Sequence, residues 1–236
     1  MKLDYKNHYY LFPDNLYGKI NINMLFLFFF SFGIIYRIIQ KTKYPREKIY
    51  YLTNKIISCI HALVSSYGAI IYLSKDITYE VWNDKYIMIS KMYLIFDVIM
   101  MFVNRDSKQQ LLHHLIFYFG LGYNDPRRDI LALAVFAELT NFNLYIGWFM
   151  ISIGYDKSTY FKVNAIILLI LFFFLRVINY IYLSYVSLIT LTYKYGLNFG
   201  GFFFIGLAIL QIHWFILLLK KAMNMNKTKT NQNKLN

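Results

Sequence analysis

Leu111-Leu112-His113-His114-Leu115-Ile116-Phe117-Tyr118-Phe119 sets two adjacent histidines inside an apolar run that reads as a membrane-spanning helix. An ionisable group within a span costs about 2.5–3.5 kcal/mol on insertion scales, so such residues are rare there and mark functional sites by default. The rest of the chain agrees with a bilayer environment. Of 236 residues, 58% are hydrophobic and 20% aromatic. Several apolar stretches approach the roughly 20 residues that cross a membrane, which is too much apolar surface for a soluble domain of this size. The net charge of +13 falls mostly on loops and tails between apolar runs, where it reports topology and contact with anionic lipid. No base-reading or phosphate-cradling motif accompanies it, so no nucleic-acid partner is expected. Cys59 is the only cysteine, which excludes an intramolecular disulfide and a cysteine-built metal site.

The paired-histidine segment ends near Tyr123, and it follows a third span, about Tyr86 to Val103, across the polar turn Asn104-Arg105-Asp106-Ser107. These two spans form a tight antiparallel hairpin. Two spans precede them, about Ile22 to Ile39 and Tyr51 to Leu73, and three follow, about Ile130 to Ile153, Val163 to Leu183 and Gly201 to Leu219. The fold class is therefore all-α, a polytopic membrane protein of about seven transmembrane helices. Glu138-Leu139-Thr140-Asn141-Phe142-Asn143 interrupts the fifth, which is either one kinked helix or two half-helices around a break. Residues 1–43 are read as a lumenal segment plus the first helix, without the basic start and cleavage site of a removable signal peptide. Residues 222–236, rich in Lys, Asn and Thr, are read as a disordered tail.

Chain distances place the buried polar groups. At ~1.5 Å per residue, Asp97 and His114 each lie about 10 Å from the hairpin turn, level with each other on adjacent antiparallel helices, so they are expected to touch. His213 falls near that depth and His61 at about 15 Å, whereas Glu138 and Arg176 both come out at about 20 Å and are candidates for a buried ion pair. Six ionisable residues from six spans thus converge on the membrane interior, the pattern of groups lining one cavity. His113 and His114 point about 100° apart on a helix, so one faces that cavity and the other supports it. The five histidines have none of the HxxxH or HxxHH spacing that membrane di-iron enzymes use, and neighbouring histidines do not chelate one ion from one helical face, so no metal is expected.

The ordered set of His61 in Ser58-Cys59-Ile60-His61-Ala62-Leu63, Asp97 in Tyr93-Leu94-Ile95-Phe96-Asp97-Val98, His113-His114, Glu138-Leu139-Thr140-Asn141-Phe142-Asn143-Leu144 with Trp148, Arg176 after an aromatic run, and Trp214-Phe215 resembles the TLC domain. That domain is shared by ceramide synthases, the translocating-chain-associating membrane protein and the ceroid-lipofuscinosis membrane protein. The resemblance covers residues 44–221 and implies six helices in a barrel-like bundle around a lipid-accessible cavity, with one extra helix in front. It implies His113, His114 and Asp97 as catalytic residues if the chain is an acyltransferase, and a lipid cavity of His61, Glu138, Asn141, Asn143, Arg176 and His213. Where the synthases carry two aspartates three apart, this chain has Glu138 and Asn141, so it is more similar to the non-synthase TLC-domain proteins. Two functions are implied. One is a multi-pass protein that binds or handles lipid acyl chains and influences membrane composition. The other is a ceramide-synthase-like acyltransferase, with acyl-CoA as substrate and no resident cofactor. The partners are membrane lipids, through sphingoid or phospholipid acyl chains, with a homodimer a possible assembly and the endoplasmic reticulum the implied membrane.

Seven spans leave eight basic residues on the amino-terminal side and fifteen on the other. By the positive-inside rule the amino terminus is expected in the lumen and the tail in the cytosol. Protease treatment of intact microsomes carrying terminal epitope tags should therefore remove the carboxyl tag and spare the amino one. A protected carboxyl tag overturns this topology.

Overall fold

The computed structural model describes residues 21–42, 44–104, 108–122, 128–191 and 199–232. The turn residues Arg105-Asp106-Ser107, the breaker Asn124-Asp125-Pro126, most of the amino-terminal segment and the last four residues lie outside the described residues. Within them every regular element is helical, and no strand occurs. Helix α1 (Ile22–Gln40) starts where the Asn21 side chain accepts a hydrogen bond from Met24 N–H at 3.1 Å, satisfying one of the first-turn donors that a helix cannot use internally. Helix α2 (Arg46–Leu73) begins directly after Pro45, a residue pre-set for helix entry. Its 28 residues, about 42 Å long, exceed the ~30 Å hydrocarbon thickness, and its first turns project beyond the expected span.

A short helix α3 (Tyr79–Trp82) runs through a π turn (Asn83–Ile87) into α4 (Met88–Asn104), and α5 (Lys108–Gly122) carries the histidine pair. The interrupted fifth span resolves into α6 (Arg128–Phe136) and α7 (Leu139–Ser152), joined at Ala137-Glu138. There the chain tightens to i−3 bonding, with Glu138 N–H on Val135 C=O at 3.0 Å and Asn141 N–H on Glu138 C=O at 2.9 Å. Tightening takes Glu138 N–H away from Ala134 C=O, and the Tyr180 hydroxyl donates to that carbonyl instead at 3.3 Å. Helix α8 (Thr159–Phe172) passes through a π turn (Phe173–Ile178) into α9 (Asn179–Val186) and a second π turn (Ser187–Leu191). The last helix is α10 (Phe199–Gln232). Its backbone stays helical into residues 222–232, which the sequence assigned to a disordered tail; extending an existing helix avoids the costly nucleus.

Packing closes a ring. Helix α2 touches α4, α4 touches α5, α5 touches α10, α10 touches α8 and α9, α8 packs on α7 and α9 on α6, and α6 and α7 return to α2. Helix α1 sits outside, against α2 and α4. The expected barrel-like bundle with one extra helix is this arrangement. Six helical segments are long and apolar enough to cross a membrane: Ile22–Gln40, Lys48–Leu73, Tyr79–Val103, Arg128–Ser152, Thr159–Ile189 and Gly201–Met223. The paired-histidine helix α5, with 15 described residues or about 22 Å, falls short on length, so the described residues meet six of the seven expected spans. The outer surface carries Phe26, Phe30, Ile166, Phe174 and Ile209, all exposed, while Asn54, Ser58, His61, Asp97 and Arg176 are buried. Such an inverted distribution suits a solvent of lipid. The chain is an integral, multi-pass membrane protein.

One close approach holds α2 against the start of the third span. Gly68 is buried, and a Cβ built on it would overlap the ring and Cβ of Tyr86 in the first π turn. The overlap involves the base of the side chain, so no rotation of the ring relieves it. Gly68→Ala is expected to force the two helices apart, at about 1–3 kcal/mol. A fluorescence thermal-unfolding assay of the detergent-purified protein checks this, with Gly33→Ala, whose Cβ would meet nothing within 4 Å, as the neutral control.

Candidate functional site

Two polar clusters lie inside the ring. The first centres on Asp97 of α4, which is 2% exposed. Asn54 of α2 donates from Nδ2 to its Oδ1 at 2.9 Å, and His114 of α5 brings Nδ1 to 3.3 Å from its Oδ2. The histidine contact is one of charge proximity; Nδ1 is off the line that a hydrogen bond requires. One carboxylate thereby links three helices, and the hairpin estimate of equal depth for Asp97 and His114 is met. One helical turn further along α4, Tyr93 donates from its hydroxyl to Ser58 Oγ at 2.9 Å and stacks on the His61 ring at 3.8 Å between centroids. His61 Nε2 lies 3.2 Å from Ser90 Oγ.

The second cluster centres on Arg176, 2% exposed. It sits in the π turn between α8 and α9, and the extra residue of a π turn rotates the chain locally relative to a regular helix. Nη2 meets Glu138 Oε1 at 3.2 Å and Asn141 Oδ1 at 2.9 Å, Nε meets Thr140 Oγ1 at 2.5 Å, and Nη1 meets Gln211 Oε1 at 3.2 Å. Asn141 Nδ2 donates in turn to Glu138 Oε2 at 2.6 Å. The expected Glu138–Arg176 pair is therefore present, with its remaining hydrogen-bonding capacity taken up by neutral groups, as a buried pair requires.

Between these clusters lies a cavity of about 400 Å³ walled by α2, α5, α7, α8, the following π turn and α10, within the range of small-ligand sites. His113, His114, Asn141 and Arg176 reach it together with Lys55, Tyr145 and Trp214. The remaining wall is mostly apolar, from Leu144, Trp148, Phe172, Leu217 and Leu218. Both histidines line it, so neither is merely behind the other, and they sit edge to face with ring centroids 5.5 Å apart. His113 is further packed against Phe117 at 5.9 Å and Trp214 at 5.1 Å.

Not every residue expected in the cavity reaches it. Glu138 is buried behind Arg176, and His61 is held between Ser90 and Tyr93. Asn143 bonds Asn164 across α7 and α8, Nδ2 to Oδ1 at 3.2 Å. His213 is exposed on α10. A step of two residues turns a helix by about 200°, so Gln211 and His213 cannot both face inward, and it is Gln211, fully buried, that does. The sequence reading passed over Gln211, Asn54 and Lys55. Asn54 and Lys55 belong to a stripe of Tyr51, Asn54, Lys55, Ser58, His61 and Ser65 recurring every three or four residues along α2, a polar inward face that periodicity alone displays.

The family model of the TLC domain matches residues 51–220, and the matched region includes both clusters and every residue of the cavity wall except Lys221. A helical ring of membrane spans with a polar, partly apolar interior defines a class of membrane proteins with a site inside the bundle. Within it, the chain belongs to the TLC-domain family. Comparisons with curated proteins and with solved structures give no match.

The Arg176 cluster makes a stability test. Removing either partner of the pair strands the other charge in low dielectric, so Glu138→Gln and Arg176→Met should each cost about 3–5 kcal/mol, and the double variant should cost less than their sum. Thermal unfolding of the three purified variants measures the coupling. Strictly additive losses would dismiss the pair.

Proposed function

We propose that the protein handles lipid acyl chains, taking one into the cavity inside its helical ring and thereby influencing membrane lipid composition. The observation that carries this proposal is the cavity's mixed wall, with leucine and aromatic side chains beside the buried polar groups of His113, His114 and Arg176. An amphipathic molecule with an apolar tail and a polar end matches such a wall, and in a membrane the surrounding lipid is the abundant molecule of that kind. The TLC resemblance implies the endoplasmic reticulum membrane, and the charge asymmetry supports a cytosolic carboxyl tail.

A second reading, transfer of the acyl group of acyl-CoA to the amine of a sphingoid base, with the amine's proton passing through the base to CoA, which leaves as the thiol, is favoured by one specific observation, the approach of His114 Nδ1 to Asp97 Oδ2 at 3.3 Å. A carboxylate beside an imidazole offsets the positive charge that forms when the ring, as general base or nucleophile, takes a proton or an acyl group. Asn54, bonded to the other carboxylate oxygen, holds Asp97 in place for either role. His113, on the same wall, is the alternative base.

Lipids that co-purify with the protein, identified by mass spectrometry, and the lipidome of the expressing membranes test both. Lipid handling predicts a bound acyl lipid that Leu144→Trp, which fills the cavity, displaces by about tenfold or more. Acyl transfer predicts in addition a product lost in His114→Ala and equally lost in Asp97→Asn, with the double variant adding little. Bound lipid without a histidine-dependent product leaves handling alone; no bound lipid and an unchanged lipidome overturn both.

A further inference from the structure

From residue 37 to residue 48 the chain carries five cations, Arg37, Lys41, Lys43, Arg46 and Lys48, against one carboxylate, Glu47. Three other connections mix the two signs: Lys75 and Lys85 stand with Asp76, Glu80 and Asp84, Arg127 and Arg128 with Asp125 and Asp129, and Lys157 and Lys162 with Asp156. The positive stretch joins α1 to α2 at the membrane edge. The membrane-crossing part of α1 ends at Gln40 and that of α2 begins at Lys48, so the residues between stand at the level of the lipid head groups. Only five residues separate the two helices. Lys41 N–H bonds Ile38 C=O at 3.2 Å, and Thr42 holds both sides of the turn, its Oγ1 donating to Ile39 C=O at 2.6 Å and accepting from Tyr44 N–H at 3.2 Å. With α1 packed on α2, this turn brings the last turn of one helix and the first turn of the other to one level. Arg37, Lys41, Arg46 and Lys48 are all exposed there, and among the described residues none of them is paired with a carboxylate. No side chain caps α2 at Pro45, so the positive end of its dipole adds to the same field. The Tyr44 hydroxyl, buried in the connection, has no hydrogen-bond partner among the described residues, which leaves a polar group for an arriving oxygen to satisfy.

We propose that the α1–α2 connection is a surface site for a phospholipid whose head ends in a phosphate monoester, with Arg37 and Arg46 gripping the phosphate and Lys41 and Lys48 supplying the field around it. Topology requires only an excess of basic residues on one side of the membrane; it does not require four unpaired cations folded onto one turn. A guanidinium pairs two phosphate oxygens at once through its planar fork, and a monoester offers three free oxygens and a charge of about −1.5 to −2, more than a phosphodiester does. On the topology expected from the charge count this face meets the cytosolic leaflet, which is the anionic one. The site lies outside the helical ring and is independent of what the cavity holds. Helix α1 is the peripheral helix, and a phosphate bridging its last turn to the start of α2 ties it to the ring.

The full chain, purified in a neutral detergent, is titrated with four short-chain probes: phosphatidic acid, phosphatidylinositol 4-phosphate, phosphatidylserine and phosphatidylcholine. Binding is read by native mass spectrometry and by the rise in thermal unfolding temperature. Wild type is expected to bind the two monoester lipids about tenfold or more tighter than phosphatidylserine, and phosphatidylcholine most weakly. At about fivefold per cation, Arg37→Gln/Arg46→Gln should lower monoester affinity by about twentyfold or more. Arg37→Lys/Arg46→Lys, which keeps the charge and removes the forks, should lose most of the preference for the monoesters over phosphatidylserine. Lys157→Gln/Lys162→Gln, which removes equal charge from exposed positions elsewhere, should bind as wild type does. The wild-type ratio of phosphatidic acid to phosphatidylserine needs no variant, so a misfolded substitution cannot shelter the proposal. Equal binding of those two lipids, a monoester preference that survives either arginine double variant, or an equal loss in Lys157→Gln/Lys162→Gln overturns the site. Leu144→Trp, which fills the cavity, should leave monoester binding unchanged; loss of binding there would put the lipid in the cavity and overturn the surface assignment while the lipid-handling proposal stands.

Discussion

A guanidinium buried in the membrane interior is the constraint on which the helical ring depends. Arg176 cannot lose its proton as a carboxylate or imidazole can, so its charge has to be matched where it lies. The matching set comes from three directions: Glu138 at the joint of α6 and α7, Thr140 and Asn141 on α7, and Gln211 on α10. Satisfying one side chain thereby fixes where α7 starts, how α10 is rotated and how the π turn after α8 faces inward.

The irregularities of the backbone follow from the same demand. The Ala137-Glu138 joint places the carboxylate beside the arginine and leaves carbonyls to be satisfied, and α9 supplies the donors. Tyr180 bonds Ala134 C=O, and Asn179 bonds Leu133 C=O at 2.9 Å. In water such a joint would be hydrated at little cost; inside hydrocarbon every displaced backbone group needs a protein partner. The break in the fifth span and the π turn in the sixth are thus two halves of one arrangement, each tolerable because the other is there.

Asp97 plays a comparable part on the opposite wall, tying α2 through Asn54 and α5 through His114. With one charged knot on each side, the volume between them cannot collapse without breaking hydrogen bonds that have no water to replace them. A cavity persists where leucines and tryptophans alone would close it. Helix α5 takes its place between these walls through α4, where His114 meets Asp97, and through α10.

The sequence by itself determined the all-helical membrane class, six of the seven expected spans and the two deep pairs. Hydrophobic runs, polar turns and a constant rise per residue are local properties, and they convert directly into depth. Asp97 met His114 and Glu138 met Arg176 because equal chain distances from a membrane boundary leave few other partners at that level. Depth says nothing about azimuth, and azimuth is what tertiary structure decided. His213 had the right depth and the wrong face, Gln211 two residues away took the inward position, and His61 and Asn143 turned to neighbouring helices instead of the cavity. Lys55 is one of the fifteen basic residues in the topology count, and the extension of α2 back to Arg46 carries it inside the ring. The direction in which a helix faces is set by the summed packing of all its neighbours. No stretch of sequence contains that sum.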